Sequence, residues 1–75
     1  MEIDEDKIDA AALALLGLTL HDECRVWKSF DWDVLNRLHE KGYISNPVGK
    51  AKSVIITKQG LQKSEEVFEK LFTKR

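Results

Sequence analysis

The N-terminal third of the chain contains a segment with almost no polar side chain. Between residues 10 and 20 the only polar residue is Thr19, and residues 4–6 are all acidic, which favours the start of a helix at that point. The alanine and leucine content predicts a helix over about residues 4–21. A helix that is apolar on every side must be buried on every side, and a chain of 75 residues builds only a small core.

This apolar segment predicts that the chain forms a homodimer. Ala10, Ala14 and Gly17 recur at helical spacing and give a low ridge that a second helix can approach closely. The alternative is a central core helix wrapped by its own chain. The residues predicted for the dimer interface are Ala10, Leu13, Ala14, Leu16, Gly17, Leu20, Phe68 and Phe72.

Residues 22–30 mix charged and aromatic side chains without a clean period. The pattern predicts a fraying helix end and a loop, or one short helix, anchored to the core by aromatic side chains. Trp27, Phe30 and Trp32 are candidates for core filling or for interface anchors. We expect at least one tryptophan in the core, with Trp32 the more exposed.

The third segment has clear helix boundaries. Ser29 or Asp31 can cap a helix over about residues 32–41, and Gly42 stands at the stop position, where a left-handed conformation is favoured. Val34, Leu35 and Leu38 would face inward.

The last part of the chain predicts a hairpin and a final helix. Residues 43–45 and the β-branched run at 52–57 form two short strands, separated by a turn containing Asn46, Pro47 and Gly49. Thr57 then caps a helix from Lys58 to about Phe72, whose inner face would comprise Leu61, Ser64, Phe68, Leu71 and Phe72, with Val67 at its margin. The prediction is a single α+β domain over residues 1–75, in the order helix, linker, helix, hairpin, helix.

The second half of this order resembles a winged helix-turn-helix domain. In that family an L-x-x-L-x-x-K-G-[LYF]-I helix end precedes a β-wing, and a [LI]-T-x-x-G box starts the next helix. The first box matches Leu35, Leu38, Lys41, Gly42, Tyr43 and Ile44, and the second matches Ile56, Thr57 and Gly60. The resemblance implies a winged-helix-like fold and a DNA-binding or transcription-associated role.

One feature departs from that family, and a second resemblance covers the whole chain. Residues 22–30 are barely long enough for the support helix that a helix-turn-helix needs. Over its full length the chain resembles a small bacterial domain family of unknown function, through the segments EIDEDKID, LTLHD, WK-x-FDWD-x-L-x-RLHEKG and GKAKSV.

Charge is distributed unevenly along a chain whose net charge is only −1. Residues 1–33 carry a balance of −6 and the remainder carries +5. This asymmetry indicates an anionic partner for the basic half, head-to-tail pairing between protomers, or a solvated surface without a partner. The acidic N-terminus, the single cysteine and the lack of a long apolar run predict a cytoplasmic protein that neither spans nor binds a membrane.

If the basic half binds duplex DNA, the third segment would lie in the major groove. Asn36 and Arg37 would read base edges and Lys41 would meet phosphate. The wing and the last helix would add cations, so the predicted contacts are Asn36, Arg37, Lys41, Lys50, Lys52 and Lys58. Asp31 and Asp33 at the helix start oppose this hypothesis and are better explained as capping residues. The alternative function is a homodimeric interaction or assembly module without nucleic-acid contact.

No motif indicates catalysis or a cofactor. His21 and Cys24 form one H-x-x-C pair, whereas a structural zinc site needs a second pair of ligands. The GKAKS stretch lacks the upstream glycine of a phosphate-binding loop, and the chain is too short to enclose a pocket of several hundred Å³. We therefore expect no enzyme activity, no metal, no cofactor and no small-molecule ligand.

Overall fold

A computed structural model describes residues 1–74 as three helices packed around a small antiparallel sheet. The helices are α1 (Glu5–Leu16), α2 (Trp32–Glu40) and α3 (Lys58–Phe72), and the strands are β1 (Arg25–Trp27) and β2 (Ser53–Ile55). The mixture of helices and antiparallel strands confirms the predicted α+β class.

The helix boundaries predicted from capping signals for α2 and α3 are confirmed. The Asp31 carboxylate accepts a hydrogen bond from the Asp33 amide at 3.2 Å, and Thr57 Oγ1 accepts one from the Gly60 amide at 2.9 Å. These side chains satisfy amides that have no partner within the helix. Gly42 follows α2 with a φ of +81°, a conformation that glycine adopts without steric cost.

The first helix ends earlier than the predicted residue 21. A single 3-10 turn, Gly17–Thr19, follows α1, and the Thr19 hydroxyl donates to the Leu16 carbonyl at 2.7 Å. A Cβ at position 17 would lie 2.5 Å from Ser64 Oγ, so the glycine allows α3 to come close at the point where α1 ends. Gly17, one of the small residues of the predicted dimer ridge, therefore packs against a helix of its own chain.

The prediction of a loop or short helix over residues 22–30 is wrong for residues 25–27, which form a strand; the residues on either side of it are turn and loop. His21 and Arg25 exchange two backbone hydrogen bonds, of 2.8 and 2.9 Å, around a tight turn. Asp22 and Glu23 in this turn have φ values of +49° and +70°. The chain thereby reverses and enters β1.

The second strand pairs mainly with β1 rather than with residues 43–45. Val26 lies opposite Val54 in the antiparallel register. Of the predicted hairpin a single bridge remains, between Ile44 and Ile56, with the Ser45 amide donating to the Ile55 carbonyl at 2.8 Å. Residues 53–56 thus lie between β1 and residues 43–45.

The core lies between the helices and the inner face of the sheet. Leu13 and Leu16 are fully buried within it, and the Ser64 hydroxyl donates to the Leu13 carbonyl at 3.0 Å, joining α3 to α1. Val67 is buried rather than marginal, whereas Leu71 is 57% exposed. The core cluster comprises Ala12, Leu13, Leu16, Val26, Val34, Leu35, Leu38, Ile44, Val54 and Ile56.

Two predictions about large or apolar side chains need correction. Trp27 and Trp32 are 48% and 49% exposed, so neither tryptophan fills the core, and Phe30 packs against it instead. Leu13, Ala14 and Leu16 are buried by their own chain, so they present no surface for a dimer partner. No helix in the described part of the chain combines the length and apolar character needed to cross a bilayer.

Candidate functional site

A buried carboxylate joins α1 to α2. The Asp9 side chain is 1% exposed and accepts hydrogen bonds from Arg37 Nε at 2.8 and 3.0 Å and from Arg37 Nη2 at 2.9 Å. Lys41 Nζ donates to the same carboxylate at 3.0 Å. Each cation also has a more exposed partner on α1: Arg37 Nη1 lies 3.1 Å from Glu5 Oε2, and Lys41 Nζ lies 3.0 Å from Asp6 Oδ1. We call these five residues the α1–α2 ion-pair cluster.

The cluster favours the charged forms of Asp9, Arg37 and Lys41. The hydrogen bond from Arg37 lowers the pKa of Asp9, burial opposes that shift, and Lys41 lowers it further. The hydrogen bond to Asp9 raises the pKa of Arg37. Burial works against the Lys41 ammonium, but its hydrogen bonds to Asp6 and Asp9 raise its pKa overall. The ion pairs are therefore complete at neutral pH.

This cluster changes the interpretation of the basic residues on α2. Arg37 and Lys41 were predicted to contact bases and phosphate, but their donors are directed at carboxylates of α1. Asn36, the third predicted contact on this helix, is half-buried. Part of the charge asymmetry between the two halves of the chain is thus resolved by pairing within one molecule.

A second basic region lies at one end of the sheet and has no such neutralisation. The wing loop, defined as residues 45–52, follows the Ile44 bridge and leads into β2. The Lys28 amide donates to the Lys52 carbonyl at 2.9 Å, and Lys28 Nζ donates to the Gly49 carbonyl at 3.3 Å. These bonds fix Lys28 against the backbone of the wing loop, which carries Lys50 and Lys52.

Arg25 extends this basic region along β1. Its Nε donates to Ser53 Oγ at 3.1 Å, directly after the wing loop. Residues 45–57 contain no acidic side chain. Among residues 1–74, no carboxylate lies within 4.0 Å of a side-chain nitrogen of the four cations of the wing surface, which are Arg25, Lys28, Lys50 and Lys52.

Only half of the wing surface was predicted from the sequence. Lys50 and Lys52 were candidate contacts, whereas Arg25 and Lys28 were missed because their strand was not recognised. The signal was the alternation in Arg25-Val26-Trp27, with the middle residue buried, but three residues are too few to separate it from a loop. Lys58, the remaining predicted contact, is exposed at the start of α3.

An apolar cleft of about 270 Å³ lies on another side of the molecule. It is lined by the turn after α1 and by one side of α3, through Ala14, Gly17, Leu18, Leu20, Leu61, Ser64, Glu65, Phe68 and Glu69. Leu18 and Leu20 at its rim are 68% and 39% exposed, and the Phe72 ring adjoins Phe68 at a centroid distance of 5.5 Å. Of the predicted dimer residues, Ala14, Gly17, Leu20 and Phe68 line this cleft, and Ala10 is half-buried on α1.

The residues considered for metal binding have other environments. The His21 ring stacks on Trp27, and its Nδ1 lies 2.8 Å from the Thr19 carbonyl oxygen. Cys24 is exposed in the turn before β1. Across residues 1–74, no three His, Cys, Asp or Glu side chains are grouped in a way that would hold a metal ion.

Comparison with known proteins identifies relatives over almost the whole chain. The chain is 61% identical over 74 residues to a protein of Sinorhizobium fredii whose title is "Uncharacterized protein y4hR", and the alignment covers 99% of this chain and 100% of that protein. No solved structure matches. Residues 4–74 match the family described as "Domain of unknown function (DUF6429)". The chain therefore belongs to this family.

Proposed function

We propose that this chain is a DNA-binding module whose wing surface contacts the phosphate backbone. One observation carries the proposal: hydrogen bonds hold Arg25 and Lys28 against Ser53 and against the wing loop that carries Lys50 and Lys52, and within residues 1–74 none of these four cations has a carboxylate partner. Unpaired cations that share one surface attract phosphates, and releasing the counterions of the nucleic acid favours binding.

The order of the elements supports a winged-helix-like arrangement. A strand precedes α2, and the segment after α2 approaches β2 through the Ile44–Ile56 bridge. The wing loop is the connection between that segment and β2. Lys50 and Lys52 of the wing surface therefore lie in the part of the chain whose sequence resembles the winged helix-turn-helix family, whereas Arg25 and Lys28 precede it.

The proposal assigns no base-reading role to α2. A base contact by Arg37 would remove its guanidinium from Asp9 and leave that buried carboxylate with only Lys41. An uncompensated buried charge is costly, so the ion pairs oppose such a rearrangement. Sequence-independent binding through phosphates is the expected mode.

The test is binding of a fluorescently labelled 20-base-pair DNA and of a single strand of the same length, measured by anisotropy over a range of salt concentrations. If the four wing cations contact phosphates, log Kobs should fall with log salt with a slope of about −3 to −4, which is a loss of about 100-fold between 50 and 200 mM salt. Lys50→Ala with Lys52→Ala should reduce the magnitude of that slope by about 2.

A matched control removes two lysines from another surface. Lys63 and Lys70 both lie beside Glu66, at 3.8 and 3.6 Å, so Lys63→Ala with Lys70→Ala changes the net charge equally. This variant should bind with the slope of the unmodified chain. The proposal is wrong if neither nucleic acid binds at low salt, or if the two double variants weaken binding equally.

Self-association is a second candidate function, and the exposed apolar cleft favours it. Glu65 and Glu69 follow Lys58 by seven and eleven residues. These spacings are close to two and three helical turns, so the three residues share one side of α3. An antiparallel pairing of two α3 helices would place Lys58 of each copy near Glu69 of the other, around the apolar cleft residues. The proposed occupant of the cleft is therefore a second copy of this chain.

Light scattering or sedimentation at tens of micromolar tests this candidate. The chain has a mass of 8.6 kDa, and a dimer would have twice that mass. Leu18→Glu should produce monomers, whereas Val48→Glu should not, because Val48 has nearly the same exposure, 65% against 68%, but lies in the wing loop. Lys58→Glu should weaken the dimer and Glu69→Lys should restore it. A monomer at these concentrations would eliminate the candidate without affecting the test of DNA binding.

A further inference from the structure

The outward face of the sheet carries an exposed tryptophan together with Arg25, Ser53 and the exposed Ile55. Side chains alternate along a strand, so Arg25 and Trp27 of β1 point away from the core while Val26 points into it. Their cross-strand partners, Ile55 and Ser53, share the outward face. Trp27 keeps 48% of its surface exposed on this face.

The Trp27 ring is held in place before any ligand arrives. The His21 imidazole stacks on it with a centroid distance of 4.5 Å and an interplanar angle of 24°. The Trp27 amide donates to Thr19 Oγ1 at 3.0 Å, which fixes the backbone beneath the ring. A ring that is already ordered loses little conformational entropy when a planar group stacks on it.

Two cations of the wing surface lie near Trp27 in the sheet. Arg25 Nε reaches across to Ser53, which is the cross-strand partner of Trp27, and Lys28 directly follows Trp27 in the chain. Asp22 and Glu23 belong to the adjacent turn, but neither carboxylate comes within 4.0 Å of the Arg25 guanidinium. An aromatic face bordered by unpaired cations fits a nucleobase with its phosphates better than it fits an apolar protein surface.

We infer that Trp27 is a stacking platform for an unpaired base of single-stranded nucleic acid, with Arg25 and Lys28 meeting the flanking phosphates. The inference rests on the proposed function and specifies its substrate, since a base within a duplex has no free face to offer. Stacking on an aromatic side chain contributes binding energy whichever base is present, so little sequence preference is expected.

The chain allows a direct spectroscopic test, because its two tryptophans are Trp27 and Trp32. In a Trp32→Phe variant the indole fluorescence comes from Trp27 alone. Titration with a 12-nucleotide oligothymidine at low salt should quench this fluorescence. Trp27→Leu should weaken binding of the oligonucleotide about 5- to 100-fold, whereas Trp27→Phe, which keeps an aromatic ring, should weaken it less. Circular dichroism confirms that each variant is folded.

The possible outcomes separate this inference from the proposed function. The platform would be overturned if binding depends on salt but does not quench Trp27, and if Trp27→Leu binds as tightly as the unmodified chain. Phosphate binding by the wing surface would then remain supported. Tighter binding to a duplex than to a single strand would overturn the platform as well. The absence of binding to either nucleic acid would overturn both. Quenching together with the loss in Trp27→Leu would support the platform.

Discussion

Replacing Asp9 by asparagine tests whether the α1–α2 ion-pair cluster stabilises the fold. The substitution keeps the shape of the side chain but removes the charge that Arg37 and Lys41 share. Breaking a fully buried ion pair costs about 3–5 kcal/mol. Here the two cations are 27% and 34% exposed and keep Glu5 and Asp6 as partners, so part of the unpaired charge is solvated.

We therefore expect Asp9→Asn to lower the free energy of unfolding by about 2 kcal/mol at pH 7. For a domain of this size such a loss lowers Tm by about 8–16 °C. Thermal unfolding followed by circular dichroism measures it. Asp6→Asn is the matched control, because the Asp6 side chain is 89% exposed and exposed ion pairs contribute roughly 0–1 kcal/mol.

The pH dependence gives an independent check on the same residue. The pKa of Asp9 is lowered in the folded chain, whereas in the unfolded chain it is about 3.9. Its stabilising contribution is therefore complete above about pH 4 and is lost as the pH falls through the folded pKa. The difference in stability between the unmodified chain and Asp9→Asn should stay constant from pH 7 to about 5 and shrink below about 4. Equal Tm values at pH 7, or a difference that grows in acid, would refute this account of the cluster.

Three further predictions concern close contacts of α3. A Cβ at Gly60 would overlap the Tyr43 carbonyl oxygen, so Gly60→Ala should reduce stability by about 1–3 kcal/mol or more, measured by urea unfolding. An unchanged midpoint would contradict this contact. Gly17→Ala should also destabilise the chain, because the new Cβ would meet Ser64 Oγ at 2.5 Å. In a double-mutant cycle, adding Ser64→Ala should recover part of the lost stability, whereas additive effects of the two substitutions would argue against the clash. Thr57→Ala removes the cap of α3 and should cost about 1 kcal/mol in the same assay, whereas Thr57→Ser should retain most of the stability.

Local signals predicted the second and third helices closely. Asp31, Gly42 and Thr57 act on atoms within a few residues of themselves, so their capping and stop roles are readable in the sequence. The α+β class also followed from such signals. The end of α1 was not readable, because residues 17–20 carry a single polar side chain, and the close approach of Ser64 to Gly17 is a contact with a distant part of the chain.

Long-range contacts decided the rest. β1 has three residues and depends on a partner strand 28 residues away in the chain, so its own pattern was too short to identify it. Asp9 looked like one more acid near a helix start, and Arg37 and Lys41 looked like free cations on an exposed helix. Because α1 and α2 pack together, Arg37 and Lys41 are paired with Asp9 and with its neighbours Glu5 and Asp6, whereas within residues 1–74 the cations of the wing surface have no carboxylate partner. Residue types along the chain determined how much charge the molecule carries, and only the packing of its helices determined which charges remain available to a partner.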